Sequence, residues 1–345
     1  MPQVTAHDRL VSIVIPFVDE AETLPELVHQ VEQTAAIAPF DYEIILVNDG
    51  STDASPRIAT ALCAANPHVS LINFMRNFGK AAALAAGMTY ARGDVIVTMD
   101  ADLQDDPAEL TRFIERIDAG YHVVSGWKQK RNDPFSKTFP SKIFNFIVRR
   151  TFKLDLHDIN CGYKAYTQDA ARALNLYGEL HRFTPALLHG LGYSVTEIPV
   201  NHNPRKHGKS KYGAARFVKG LFDLVTVIML TRYQARPLHF FGSIALGLGT
   251  AGSLILTYLT VVWILGLGPI GTRPLFFLGI LLVMTATQLF GVGLIAELLQ
   301  TTQLRETGKY AIRNVVGFGN AESSSTTFAS PYVNPIPIGE PSERV

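Results

Sequence analysis

Hydrophobic positions in the first 200 residues follow two alternating rhythms. VSIVIPF (11–17), YEIILVND (42–49), VSLINF (69–74), DVIVTMD (94–100) and YHVVSG (121–126) are β-branched runs of strand length, and VTEIPV (195–200) is another. Between the first five, the spacing predicts helices over 22–36, 54–64, 79–90 and 107–119. The last carries a start signal, with Asp106 as cap, Pro107 at the first helical position and Glu109 soon after. Strands alternating with helices predict an α/β fold built on a mainly parallel sheet.

The rhythm changes in the last third. Residues 240–272 contain no Lys, Arg, Asp or Glu, and neither do residues 274–296. A bilayer span needs about 20 apolar residues, so two transmembrane helices are expected rather than two long core helices. The connector GLGPIGTRP carries only Arg273, whereas Arg232 and Arg236 precede the pair and Arg305, Lys309 and Arg313 follow it. A multi-pass protein of the inner (plasma) membrane is expected, and the positive-inside rule puts both termini and the bulk of the chain on the cytoplasmic side. After residue 321 the tail is rich in Ser, Pro and Asn and is expected to be disordered. The expected organisation is a cytosolic domain over 1–210, including an interfacial helix near 140–152. A juxtamembrane amphipathic helix (211–235), two spans (238–298), a cytosolic strand segment (299–320) and the tail (321–345) follow.

Charge sharpens this picture. The 345 residues sum to +1, but the two signs are segregated. Residues 1–125 hold 18 acids against 7 Lys or Arg, whereas residues 126–153 hold eight Lys or Arg against Asp133 alone. Residues 205–219 add six more cations and no acid. An anionic partner is expected near the middle of the chain. Cys63 and Cys161 have neither disulfide-framework nor zinc spacing, and the N-terminus lacks a signal-peptide pattern, so a reducing compartment is expected.

In sheets of this kind ligands bind beyond the carboxyl ends of the strands. Asp100 and Asp102 stand where the fourth strand ends and Asp49 where the second ends, while the first delivers Pro16, Asp19 and Glu20 to the same edge. Converging carboxylates repel unless cations or hydrogen-bond donors hold them. A hard divalent ion, Mg2+ or Mn2+, takes carboxylate and amide oxygens and shares its shell with phosphates, a role that Asp102 and Gln104 fit. Asp105 and Asp106 read as turn and cap residues. RNFGKAAAL lacks the Walker A spacing, which leaves Lys80 as a nucleotide contact or a helix-surface charge. His202 and His207 read as polar loop residues.

PFVDEAETLPEL, VNDGSTD, RNFGKAAALAAG, DADLQDDP, NCGYKAY and HGKSKY, in this order, resemble the family-2 glycosyltransferases that load a sugar onto a polyprenyl phosphate. The group includes dolichol-phosphate mannose synthase and the bacterial undecaprenyl-phosphate glucosyl and aminoarabinosyl transferases. The resemblance covers about residues 10 to 315. It implies a GT-A nucleotide-sugar-binding domain with interfacial amphipathic helices and two C-terminal spans, a nucleotide-diphosphate sugar as donor, a divalent metal and a homotetramer. Carried over by position, it implies a nucleoside pocket at Pro16, Phe17, Glu20 and Asp49, with Lys80 a further candidate. It implies a ribose, diphosphate and metal site at Asp100, Asp102 and Gln104. Asp19 stands where the family usually has Asn and Phe17 where it has Tyr.

The chemistry follows from charge. A leaving diphosphate needs its developing charge neutralised, and an acceptor phosphate monoester, with a second pKa near 6, is already ionised at neutral pH. No strong general base is required, and single displacement with inversion is expected. Basic segments then have uses. Ile143, Phe144, Phe146, Ile147 and Val148 alternate with Lys142, Arg149 and Arg150, as in a helix lying in a membrane interface. The loop NPRKHGKSKY is expected to close over the diphosphate, Arg205 and Lys211 serving catalysis. Arg131, supported by Lys128, Lys209 and Ser210, is expected on the acceptor phosphate. The expected partners are a nucleotide sugar (a UDP-sugar such as UDP-glucose), polyprenyl (undecaprenyl) phosphate and the membrane, with no nucleic acid. GDP-mannose is the alternative donor, and a non-enzymatic membrane scaffold the alternative class; the latter would predict a broken acidic cluster.

Overall fold

A computed structural model of the chain describes residues 9–129, 152, 154–201, 225–231, 233 and 236–304. The expected interfacial helix near 140–152 lies outside them except for Phe152. So do most of the 211–235 helix, most of the 299–320 segment and the tail.

Strands β1 (Leu10–Phe17), β2 (Asp41–Asn48) and β3 (Val69–Asn73) alternate with helices α1 (Leu24–Ile37), α2 (Ser55–Ala65) and α3 (Lys80–Tyr90). Next come β4 (Val95–Thr98), α4 (Leu110–Asp118), β5 (Val123–Lys128), β6 (Lys164–Thr167), α5 (Gln168–Arg172), α6 (Thr184–Gly190) and β7 (Val195–Val200). The sheet order is β3-β2-β1-β4-β6-β5-β7. All pairs are parallel except those that β6 makes with β4 and β5. The pattern thus anticipates the mainly parallel sheet but not β6, where Lys164 interrupts a run too short to read as a strand.

The apolar runs are continuous because both sheet faces are covered. Val11, Ile13, Ile15 and Phe17 of β1 face the core under α1, α2 and α4. Val14 faces the opposite core, with Ala83, Leu84 and Met88 of α3. Helix α3 is rich in Ala and Gly because it rides close to the sheet: a Cβ on Gly87 would sit 2.2 Å from Val14 Cγ1. Helix α4 begins as expected, after a 3-10 turn over Pro107–Glu109, with the Asp106 carboxylate accepting from Ala108 N at 3.0 Å.

At the amino ends of the strands, a buried carboxylate ties distant segments together. Glu43 accepts from Ser12 Oγ at 2.6 Å and from Arg92 N at 2.8 Å, and pairs with the Arg92 guanidinium at 2.7 Å. Ser12 Oγ in turn accepts from Gly93 N at 2.8 Å, and a Cβ on Gly93 would strike it at 2.7 Å.

Helices α7 (Pro237–Ile264) and α8 (Pro274–Leu304) form the apolar hairpin. Both are long and apolar enough to cross a membrane, with only 17% and 11% of their most apolar stretches buried by the rest of the chain. Core helices would be mostly covered, so these are membrane-span candidates. Small residues let them approach: a Cβ on Gly252 would lie 2.9 Å from Gly279 O, and one on Gly279 the same distance from Leu256. Glu297 accepts from Leu238 N at 3.1 Å, capping the start of α7 from the end of α8.

Burial alone would raise the Glu43 pKa, but the bonds from Ser12 and Arg92 override it and hold the value below 4.5. A carboxylate with a depressed folded pKa contributes stability above its unfolded value and loses it as pH falls through the folded one. Glu43→Ala is therefore expected to cost about 2 kcal/mol near pH 7, lowering Tm by roughly 4–8 °C. The deficit should shrink as the wild type is acidified below pH 4.5. Thermal unfolding of the detergent-solubilised chain checks this, and equal Tm values at pH 7 would refute it.

Candidate active site

The strand order reverses between β1 and β4, which are paired neighbours whose connections leave in opposite directions. A crevice opens at such a switch point beyond the carboxyl ends. The β1 and β2 ends are stitched together first. Ser51 Oγ accepts from Asp19 N at 3.1 Å, Ser55 Oγ from Glu20 N at 2.8 Å, and Asp19 Oδ1 from Thr52 N at 2.8 Å. The Asp at position 19 thus serves as an acceptor through Oδ1, despite its departure from the family's usual Asn. Glu20 accepts from Thr23 Oγ1 at 2.9 Å. Pro16 and Phe17 are buried, Phe17 at 3% exposure, so they form the crevice's foundation while Val18 and Asp19 present its surface.

Asp49 is buried at the end of β2 and accepts from Phe78 N at 2.7 Å and Gly79 N at 3.0 Å. It thereby anchors the loop that delivers Lys80 to the start of α3. Gly50, with φ +72°, permits the turn; a Cβ there would lie 2.4 Å from Asn77 N.

The acids after β4 are each held separately. Asp100 is ion-paired to the Lys80 ammonium. Burial would raise the Asp100 pKa, but the Lys80 charge dominates and holds it at about 2. Burial opposes the Lys80 charge in turn, and Asp100 more than offsets it, raising the Lys80 pKa. Asp105 is not the turn residue read from sequence. It is 1% exposed, pairs with Lys128 at 3.2 Å and receives Asp100 N at 3.3 Å. Its own pKa is raised, by burial foremost and by the neighbouring Asp100 charge. Lys128, expected in support of Arg131 on an acceptor phosphate, is instead committed to this internal carboxylate.

Asp102 and Gln104 remain at the edge, partly exposed on one turn, with Asp102 Oδ1 accepting Gln104 N at 3.2 Å. Leu103 between them has φ +61°, a conformation costly for leucine, and its side chain is buried in the core. Burying Leu103 turns Asp102 and Gln104 outward together. Among the described residues there is no group of three or more His, Cys, Asp or Glu side chains suited to a metal. One carboxylate and one amide oxygen fit an ion that draws its other ligands from a diphosphate.

Behind Asp100 lies a cavity of about 320 Å3. Its wall includes Lys80, Asp100, Lys164, Glu179, His181 and Arg182. Gly162 closes it: Thr98 Oγ1 bonds Gly162 O at 2.9 Å, and a Cβ on Gly162 would sit 2.7 Å from Asp100 Oδ2. Sequence reasoning quoted NCGYKAY only as a motif and assigned Lys164, Glu179, His181 and Arg182 no role. A lysine inside an otherwise apolar run was the available signal for Lys164. The triplet around His181 carried none. Arg131, Arg205, Lys209, Ser210 and Lys211 lie outside the described residues.

A switch-point crevice with separated acids, a turn bearing one carboxylate and one amide, and an adjoining polar cavity is an arrangement that suits a phosphorylated ligand. Residues 12–174 match the family described as Glycosyl transferase family 2. The chain is 37% identical over 318 residues to the dodecaprenyl-phosphate galacturonate synthase of Rhizobium johnstonii, covering 88% of this chain and 92% of that protein. It is 36% identical over 313 residues to the undecaprenyl-phosphate 4-deoxy-4-formamido-L-arabinose transferase of Klebsiella pneumoniae, covering 89% and 94%. Among solved structures it is similar to Mycobacterium tuberculosis glucosyl-3-phosphoglycerate synthase in complex with Mn2+, UDP and phosphoglyceric acid. That match has a TM-score of 0.51 at 16% identity, spans 64% of this chain and 78% of the other, and speaks to the fold. The chain belongs to the family-2 polyprenyl-phosphate glycosyltransferases.

Gly162→Ala is expected to push Asp100 off Lys80 and lower sugar transfer by about 10²-fold, the scale of a displacement near 1 Å. Transfer rates in membranes, with Tm as a folding control, check this; a wild-type rate would refute it.

Proposed function

We propose that the crevice binds a UDP-sugar and transfers its sugar, with inversion, to polyprenyl phosphate at the cytoplasmic membrane face. The observation that carries this reading is the placement of Asp49, Asp100 and Asp102 around one switch-point crevice in a chain of this family. The intact acidic cluster also speaks against a scaffold that merely retains the fold. UDP-glucose is the reference donor and GDP-mannose the alternative; the relatives are named for galacturonate and formamidoarabinose, so family membership leaves the sugar open.

In this reading the Asp19–Ser51 and Asp49–Gly79 contacts shape the nucleoside pocket formed over Pro16, Phe17 and Glu20. Asp100, fixed by Lys80, faces the ribose and diphosphate. Asp102 and Gln104 would hold Mg2+ or Mn2+, which when bound supplies positive charge against the leaving diphosphate. An acceptor phosphate oxygen forms the new bond to the sugar's anomeric carbon as its bond to the diphosphate breaks and UDP departs. The nucleophile arrives ionised, so the residues orient and exclude water rather than abstract a proton. Arg205 and Lys211 on the basic loop, and Arg131 with Lys209 and Ser210 on the acceptor phosphate, remain our assignments for the cationic side. Lys128 acts there indirectly, by neutralising Asp105 beneath Asp100.

We also assign α7 and α8 as transmembrane helices with both chain ends cytoplasmic, the domain boundaries laid out from sequence, and a homotetramer. Asp102→Asn is expected to lower turnover by about 10²-fold or more, the scale of losing one transition-state stabiliser, in protein that still inserts into membranes. Excess EDTA should silence the wild type. Transfer of radiolabelled sugar to undecaprenyl phosphate measures both; near-normal rates in the variant or under EDTA would remove the metal assignment.

A further inference from the structure

The wall of the cavity behind Asp100 carries three cations, Lys80, Lys164 and Arg182, against two carboxylates, Asp100 and Glu179, with a further buried carboxylate, Asp158, outside the wall. Asp100 is taken by Lys80, and Glu179 is taken by Arg182 at 2.5 Å. Lys164 is left over. It is 2% exposed, its ammonium donates to the Cys161 carbonyl, and among the described residues no carboxylate lies within ion-pair distance of it. Beside it His181 Nδ1 is buried with no hydrogen-bond partner.

A buried ammonium with a carbonyl and no counter-ion is costly. Burial drives the Lys164 pKa down to about 8, with the nearby Lys80 charge acting in the same direction, yet at neutral pH the group is still mostly charged. His181 is held neutral, its pKa depressed to about 3 by burial foremost and then by the Lys80 and Arg182 charges, so it offers a hydrogen bond rather than a second charge. The cavity, at about 320 Å3, is at the small end for ligand pockets and matches one monosaccharide rather than a nucleotide. Asp158 and Asp100 favour the charged form of Lys164 without pairing with it directly, so a ligand group carrying a single negative charge can take the direct contact that the protein leaves open.

We propose that this cavity is the sugar subsite and that Lys164 reads a carboxylate on the transferred sugar, making the donor a nucleotide-activated uronic acid. This rests on the reading of the chain as a nucleotide-sugar transferase and names the sugar class. Lys164 is then a specificity residue: it touches the sugar away from the anomeric carbon, with His181 Nδ1 beside it for a hydroxyl or carboxylate oxygen.

The test compares donors that differ only at carbon 6. Full-length enzyme in detergent is titrated with UDP-galacturonate against UDP-galactose, and with UDP-glucuronate against UDP-glucose, with binding followed calorimetrically. Each is then offered undecaprenyl phosphate. At least one acidic donor is expected to bind 10- to 100-fold tighter than its neutral partner, the range of one charge-assisted hydrogen bond. In Lys164→Met that ratio should collapse towards one, while Lys164→Arg should keep part of it. Neutral donors binding as well as acidic ones in the wild type would overturn the proposal, whether or not the variants fold. So would equal weakening of both classes in Lys164→Met, which would place Lys164 on the diphosphate or the scaffold. A preserved preference for the acidic sugar without transfer to the lipid would support the subsite and count against the acceptor reading instead.

Discussion

Crowding of negative charge at one sheet edge is the constraint on which the rest of this site depends. Asp49, Asp100, Asp102 and Asp105 are all brought there by parallel strands that end at the same level, and no two could stay ionised side by side without help. The fold supplies a different partner for each. Asp49 receives backbone amides, Asp100 receives Lys80, Asp105 receives Lys128, and Asp102 stays at the rim beside Gln104. The two lysines arrive from opposite sides of β4 in sequence, so the edge can be assembled only once α3 and β5 have both docked. Compensation and folding are therefore the same event here.

The partition also sets the division of labour. A carboxylate already paired internally is rigid and electrically quiet, and suits positioning. Asp102, beside Gln104, is the acid of the group that stands at the rim of the crevice. Nothing about the residue type distinguishes Asp102 from Asp105; one residue of left-handed backbone at Leu103 and the direction of the following turn separate the exposed acid from the buried one.

The architecture was legible in the sequence to the extent that hydrophobic period dictates it. The parallel strands, their helices, the Asp106 cap and the two apolar helices follow from local patterns, because each buries its own face whatever its partner. The pairing of Lys128 with Asp105 was not legible for the opposite reason: twenty-three positions apart, one read as support for Arg131 and the other as a turn residue, they meet only when β5 lies beside the β4 turn. β6 was missed because an antiparallel strand of four residues with a lysine at its head has no periodic signal of its own. The cavity was illegible altogether, since its walls come from α3, β4, β6 and the segment before α6, and a void has no sequence pattern.

Glu297 has a consequence for how the two long helices move. Pro237 has no amide to satisfy, Leu238 N is bonded to Glu297, and His239 N is bonded to Arg236 O at 3.1 Å. The first turn of α7 thus has little need of water. Most helices entering a bilayer must keep that turn among the headgroups, which pins their depth. Here the donors are met inside the hairpin, so the start of α7 is latched to the end of α8 and the two helices shift as one body rather than slide past each other.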